Sequence, residues 1–195
     1  EIAFKTKNKD LLVTSIIGAG PTGVELSAEL QEYMQHTLCM YYKNSGFKKE
    51  DIKVNVITTT PDVISQFPQK MRDYAMEELK DRGINIITNS FVTKIEPNQI
   101  TFKDGTSMKS HTIIWVAGVS PILSEVKGLI PGQKGRIDTN EFLQTSYDKN
   151  VFSLGDVSGI YPMLAQVAVQ QAKVVAKNIK ALIENDNLTA FKFTQ

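Results

Sequence analysis

The chain has 195 residues, a formal net charge of +1, 42% hydrophobic and 22% charged residues, which fits one domain, or one and part of another, with enough apolar residues for a core. Acids and bases are mixed along it, so there is no nucleic-acid footprint, and the lone cysteine, Cys39, excludes an internal disulfide or a two-cysteine redox motif. No signal peptide and no apolar run long enough to span a bilayer is seen, so the chain as given reads as soluble and intracellular.

Leu11 to Ile17 is a short apolar run of the kind that forms a strand buried on both faces. From Pro21 the period changes. Leu26, Leu30, Met34, Leu38 and Tyr41 recur at helical spacing, and the pattern fades at Asn44-Ser45-Gly46. His36 and Cys39 stand one helical turn apart, but His111 is the only further histidine, and no metal site is expected. Val54 to Thr58 alternates as a second strand. After a loop from Pro61 to Pro68, Lys70 to Arg82 reads as a second helix with Met71, Tyr74, Ala75 and Leu79 inward and Gly83 as its C-cap.

Ile84 to Thr88 is a third strand. Three short β runs follow, Phe91 to Glu96, Gln99 to Lys103 and Thr106 to Lys109, with a hairpin turn at Asp104-Gly105. Thr112 to Ala117 closes the unit as another buried strand. Beyond Gly118, where we place a boundary, Pro121, Gly128, Pro131, Gly132 and Gly135 make a connector and Arg136 to Thr139 a brief strand. Asn150 to Leu154 reads as a buried strand ending in Gly155-Asp156. Met163 to Ile183 is a long helix, apolar at Leu164, Val167, Ala168, Val175 and Ile179.

The stretch IIGAGPTGVE places three glycines and a proline where a strand turns into a helix, although glycine costs stability in both elements. Strand, G-x-G-x-x-G, helix is the nucleotide-binding turn of a βαβ unit. Gly18 permits the tight turn, Gly20 lets a pyrophosphate approach the backbone, and Gly23 lets helix and strand pack closely. Pro21 and Thr22 open the helix, whose unpaired N–H groups and dipole face the phosphates. An acid is expected at the end of the second strand to hold the ribose; here that place is Thr58. With no arginine expected nearby to hold a 2′-phosphate, NAD(H) is preferred over NADP(H). The fold expected is α/β: a Rossmann-like NAD-binding domain with an inserted three-stranded β-meander.

The chain resembles the type II NADH:quinone oxidoreductases, within the larger flavoprotein pyridine-nucleotide oxidoreductase family. The resemblance is carried by GAGPTGVELSAEL (Gly18 to Leu30), IIWVAGV (Ile113 to Val119), VFSLGD (Val151 to Asp156) and AQVAVQQ (Ala165 to Gln171). It implies an NADH site at Gly18, Gly20, Pro21, Thr22 and Gly23, with Glu25 near nicotinamide and flavin. It also implies a crossover between domains at Trp115 to Gly118, including Ala117, and a flavin motif whose Gly155 and Asp156 face the ribitol of FAD. Ala165, Gln166 and Gln170 match the quinone-site motif, and the resemblance makes Glu25, Gln166 and Gln170 the catalytic candidates.

Residues 11–118 would then be the NAD(H) domain and 119–195 the C-terminal part of the FAD domain. Each residue has a plainer reading. Glu25 complements a helix dipole in the first turn, Asp156 caps a turn, and Gln166, Gln170 and Gln171 form an exposed polar helix face.

The absence of a first FAD turn implies a fragment of a longer enzyme. That enzyme would lie on the cytoplasmic side of the cell membrane through a C-terminal segment, with quinone as acceptor and a homodimer left open. Alternatives are a NAD-binding module without flavin, or a related flavoprotein reductase with a protein or oxygen acceptor. Without sheet partners for Val151 to Leu154, Gly118 to Gln195 is expected to pack on a second copy, rearrange, or be held weakly.

Overall fold

The computed structural model describes residues 2–119, 132, 135–159 and 161–194. The chain divides into two compact units, Glu1–Gly118 and Val119–Gln195. Pro121, Gly128 and Pro131 of the expected connector lie outside the described residues.

In the first unit, helix α1 (Ile2–Thr6) and a 3-10 turn at Lys9–Leu12 lead into β1 (Val13–Ile17). The strand thus begins two residues later than the apolar run does, because Leu11 and Leu12 pack beside Ala3 and Ile52. Helix α2 (Pro21–Glu32) continues through a π-helical segment, Tyr33–Leu38, into α3 (Cys39–Tyr41). Then come β2 (Lys53–Ile57), α4 (Gln69–Asp81) and β3 (Asn85–Ile87). A meander of β4 (Val92–Glu96), β5 (Gln99–Phe102) and β6 (Ser107–Lys109) precedes β7 (Thr112–Trp115).

The strands form a four-stranded sheet in the order β3-β2-β1-β7 and a three-stranded sheet, β4-β5-β6. All pairings in the first are parallel and those in the second antiparallel. Side chains alternate across a strand, and that alternation builds three layers. Ile16, Val54 and Val56 turn to one face, where Leu26, Leu30, Ala75, Met76 and Leu79 of α2 and α4 meet them. Ile17 and Ile57 turn to the other face and pack on Ile100, Phe102 and Met108 of the meander.

A polar rung crosses the parallel sheet at one register position, where Ser15 stands beside Asn55 and Asn55 beside Asn85. Asn85 Nδ2 donates to Asn55 Oδ1 (3.0 Å), and Asn55 Nδ2 donates to Ser15 Oγ (3.1 Å). Asn55→Leu would deprive the fully buried Ser15 hydroxyl of its donor and is expected to cost about 2 kcal/mol, read by urea denaturation of the chain.

Several faces differ from the sequence pattern. The fully buried stripe of α2 is Gly23, Ser27 and Gln31, with the apolar residues flanking it; Tyr41 is 81% exposed. Gln31 Nε2 donates to Arg82 O (3.1 Å), tying α2 to the end of α4. On α4, Met71 and Tyr74 are exposed, and Met76 joins Ala75 and Leu79 against the sheet. Gly83 and Ile84 close α4 by donating to Lys80 O and Leu79 O, the paired closure of a Schellman end. Strand β7 is only half-buried, because β1 pairs it on one side and it ends that sheet.

In the second unit, α5 (Ala165–Glu184) lays Val167 and Val175 against Leu143 and Phe191. Isolated bridges link Ile137 with Ser158, Thr139 with Thr145 and Gln144 with Phe152. The expected strands at Arg136 to Thr139 and Asn150 to Leu154 are therefore reduced to single bridges. A ladder needs a neighbour that supplies its hydrogen bonds. The segment beside Phe152 is Leu143–Thr145, which runs antiparallel and accepts from Ser153 and donates to Val151. Asn178, rather than Ile179, turns inward on α5. Its Nδ2 donates to Phe142 O (3.0 Å) and Thr189 O (2.9 Å), and its Oδ1 accepts from Thr189 N–H (2.7 Å).

Candidate functional site

The glycine turn lies between β1 and α2 at the carboxyl end of the parallel sheet. Gly18 N–H donates to Ile57 O (2.9 Å), which fixes the turn on β2. Gly18 has φ +115°, and a Cβ there would stand 2.6 Å from the Val116 carbonyl and Ala117 N. A Cβ on Gly23 would overlap Gly18 O, so the helix meets the turn backbone to backbone. At Gly20 the result is opposite: a Cβ would find nothing within 4 Å. Two glycines are thus forced by contacts inside the protein, and the third faces open space.

Gly20 is also the N-cap of α2, with no side chain capping it, and Pro21 opens the first turn. The first N–H groups of a helix have no partner within it. Here they sit beside the bare backbone of Gly20, an arrangement suited to a diphosphate. Glu25 is exposed on α2 but is its fifth residue, past the first turn, so the plain dipole account of it is corrected.

At the end of β2 the structure departs from expectation. Thr58 is buried, and its hydroxyl is taken up by the Thr60 hydroxyl (2.8 Å) and N–H (3.2 Å). The exposed threonine there is Thr59. The structure also brings an arginine to this loop: Arg72 Nη1 donates to Asp62 Oδ2 (2.7 Å). Sequence distance hid it, since Arg72 reaches Asp62 only because α4 packs back on the sheet. Trp115 is 57% exposed, and Ala117 and Gly118 are exposed, with Gly118 at φ +114°.

In the second unit, Gly155–Val157 form a single 3-10 turn, with Asp156 exposed. Arg136 clamps this turn from outside, its Nε donating to Asp156 O (2.9 Å) and its Nη2 to Tyr161 O (2.8 Å). From inside, Gln171 Oε1 accepts from Gly155 N–H at 2.7 Å, and Gly155 takes φ +73°. Gln171 is fully buried, which corrects its place on an exposed polar face. Its spacing from Val167 and Val175 was the available signal, since all three share one stripe. Its Nε2 and the hydroxyls of Ser153 and Ser158 are buried without partners among the described residues. Ala165 and Gln166 are exposed in the first turn of α5. Gln170 is engaged by the Thr194 backbone, to whose carbonyl it donates (2.8 Å) and from whose N–H it accepts (3.2 Å).

Gln171→Leu is expected to free the Gly155 amide. One buried hydrogen bond contributes about 1 kcal/mol, so its hydrogen exchange should quicken roughly fivefold, measured residue by residue by NMR.

A parallel sheet whose first strand passes through a bare glycine turn into a helix N-terminus defines a Rossmann-like dinucleotide fold. Residues 2–172 match the family model described as pyridine nucleotide-disulphide oxidoreductase, and the chain belongs to that family. It is 33% identical over 207 residues to the type II NADH:quinone oxidoreductase of Haemophilus influenzae, covering 99% of this chain and 46% of that protein. It is 32% identical over 194 residues to the external alternative NADH-ubiquinone oxidoreductase, mitochondrial, of Yarrowia lipolytica, covering 92% of this chain and 33% of that one.

Among solved structures, the fold is similar to NDH2 from Plasmodium falciparum in complex with NADH (TM-score 0.67, 22% identity, 83% of this chain and 34% of that chain). It is also similar to a ferredoxin reductase from Rhodopseudomonas palustris (TM-score 0.69, 18% identity, 92% and 42%). The chain spans less than half the length of these two curated relatives. Among the described residues, no helix is long and apolar enough to cross a membrane.

Proposed function

We propose that residues 11–118 form an NAD(H)-binding domain and 119–195 the C-terminal part of an FAD-binding domain, within an enzyme that oxidises NADH and reduces a quinone. The observation that carries the reading is the asymmetry of the glycine turn. Gly18 and Gly23 are packed against backbone, whereas Gly20 leaves an open approach at an uncapped helix start. The names of the relatives supply the acceptor.

On this reading the α2 amides at Thr22 and Gly23 bind the diphosphate, and the bare Gly20 admits it. Glu25, exposed on the same helix, orients the nicotinamide end, and Ala117 and Gly118 border the site. At the ribose end, Thr59 replaces Thr58 as the candidate hydroxyl, since Thr58 is committed to Thr60.

The second unit fits a flavin through a held turn and unpaired buried polar groups. Gln171 and Arg136 hold Gly155–Val157 so that Asp156 faces outward to bind a ribitol hydroxyl. FAD, when bound, supplies the two-electron redox chemistry. Gln166 is free to donate to a quinone oxygen. Gln170 would have to release Thr194 to do the same. The cytoplasmic face of the membrane, attachment through a C-terminal segment and a homodimer belong to the same proposal.

Calorimetric titration of this chain with NADH tests the nucleotide site, and saturable binding of one NADH per chain is the expected result. Visible absorption of the longer protein tests the flavin. Quinone-dependent NADH oxidation by that protein separates this reading from a reductase with a protein or oxygen acceptor.

A further inference from the structure

We propose that the Asp62–Arg72 ion pair sets the choice between the two nicotinamide dinucleotides, by keeping the guanidinium of Arg72 from a 2′-phosphate. The proposal rests on the dinucleotide reading above. In a βαβ dinucleotide fold the adenosine ribose meets the chain after the second strand, where an acid accepts the 2′-OH or an arginine receives the 2′-phosphate. Asp62 and Arg72 stand in that region, four and fourteen residues after the Thr58 position.

The loop carrying Asp62 is fixed to the phosphate turn. Ile64 N–H donates to Ala19 O (2.7 Å), and Val63 is fully buried in the cluster that holds Ala19. Ile64 takes φ +42° in making this contact, an outlier for a β-branched residue. Thr60 Oγ1 donates to Asp62 O (2.6 Å), closing the loop between Thr58 and Asp62.

Within this frame both terminal nitrogens of the guanidinium are engaged. Nη1 donates to Asp62, Nη2 donates to Gln69 Oε1, and Nε is buried without a partner among the described residues. Both partners of the ion pair are about one-fifth exposed, at 23% and 22%, so the pair is reachable from solvent yet partly shielded from it. A 2′-phosphate would bring close to two negative charges beside the Asp62 carboxylate, and it would have to compete with that carboxylate for the guanidinium. A ribose hydroxyl carries no such charge. Arg82 offers no substitute: it follows the other end of α4, about 15 Å along the axis from Arg72, and pairs with Glu32 and Glu78.

The experiment is calorimetric titration of the chain with NADH and with NADPH, for the wild type, Asp62→Asn, Asp62→Ser and Asp62→Asn/Arg72→Gln. The wild type should prefer NADH. Either single substitution should raise the NADPH:NADH affinity ratio about tenfold, the worth of one charge-assisted hydrogen bond, and the double variant should lose that gain. Two Asp62 substitutions are used so that a folding failure in one leaves the other to decide. An unchanged ratio in a folded single variant, or a gain that survives in the double variant, overturns the proposal. A wild type that binds neither nucleotide overturns the dinucleotide reading itself, a distinct result.

Discussion

Gly23→Ala should destabilise the first unit by more than about 3 kcal/mol, the upper range for overpacking a rigid site. The new methyl would overlap Gly18 O, a backbone atom held by the turn, and the Val116 side chain lies 3.3 Å away on another side. Neither a rotamer change nor a small tilt relieves a clash with main chain on a helix already packed against two strands. Gly20→Val should behave differently. Its Cβ meets nothing within 4 Å, so the cost is that of a poorer N-cap, about 1 kcal/mol. Its NADH affinity should nevertheless fall about a hundredfold or more, equivalent to roughly 2.7 kcal/mol, because the branched side chain fills the approach to the helix amides. Urea denaturation and NADH titration of the two variants measure both halves. A Gly20→Val variant that keeps wild-type affinity sinks the site; a Gly23→Ala variant with wild-type stability sinks the close packing of α2 on the turn.

Asn178→Leu should destabilise the second unit by about 3 kcal/mol or more, and leave the first unit intact. The amide is fully buried and satisfies three backbone groups, Phe142 O, Thr189 O and Thr189 N–H. Leucine is close in size but satisfies none of them, and each buried group left unpaired costs roughly 1–3 kcal/mol. The substitution also cuts the link between the loop before Leu143 and the segment after α5, the two strands of chain that cover this helix face. Limited proteolysis followed by mass spectrometry should show cleavage moving into Phe142–Thr189 while fragments from 2–118 stay resistant. Equal protection of both units in the variant would show that the apolar contacts of Leu143, Val167, Val175 and Phe191 suffice alone.

Much of the first unit is legible in the residues themselves. The apolar run Leu11 to Ile17, the alternation in Val54 to Thr58, the change to helical spacing at Pro21, and the Asp104-Gly105 turn are local signals, and each marks an element found within a residue or two. The faces of the helices are less legible. On α2 the most buried positions are Gly23, Ser27 and Gln31, because a helix brought within contact of a glycine turn has room there for small or hydrogen-bonded residues rather than leucines. On α4, Met71 and Tyr74 fit the periodicity equally well but are exposed.

The candidate site divides in the same way. The sequence by itself determined the bare turn and the helix that follows it, since glycine at such spacing serves no purpose in a regular strand or helix. Its spacing also assigned Gly20 as the open position; the tertiary structure decided what closes Gly18, because Val116 and Ala117 arrive just after a strand nearly a hundred residues later. It likewise decided that Thr58 is committed, that Arg72 returns to Asp62, and that Gln171 rather than its neighbours is buried beneath Gly155. A residue's type fixes which bonds it can make, but which of them it makes is set by what packing brings within three ångströms.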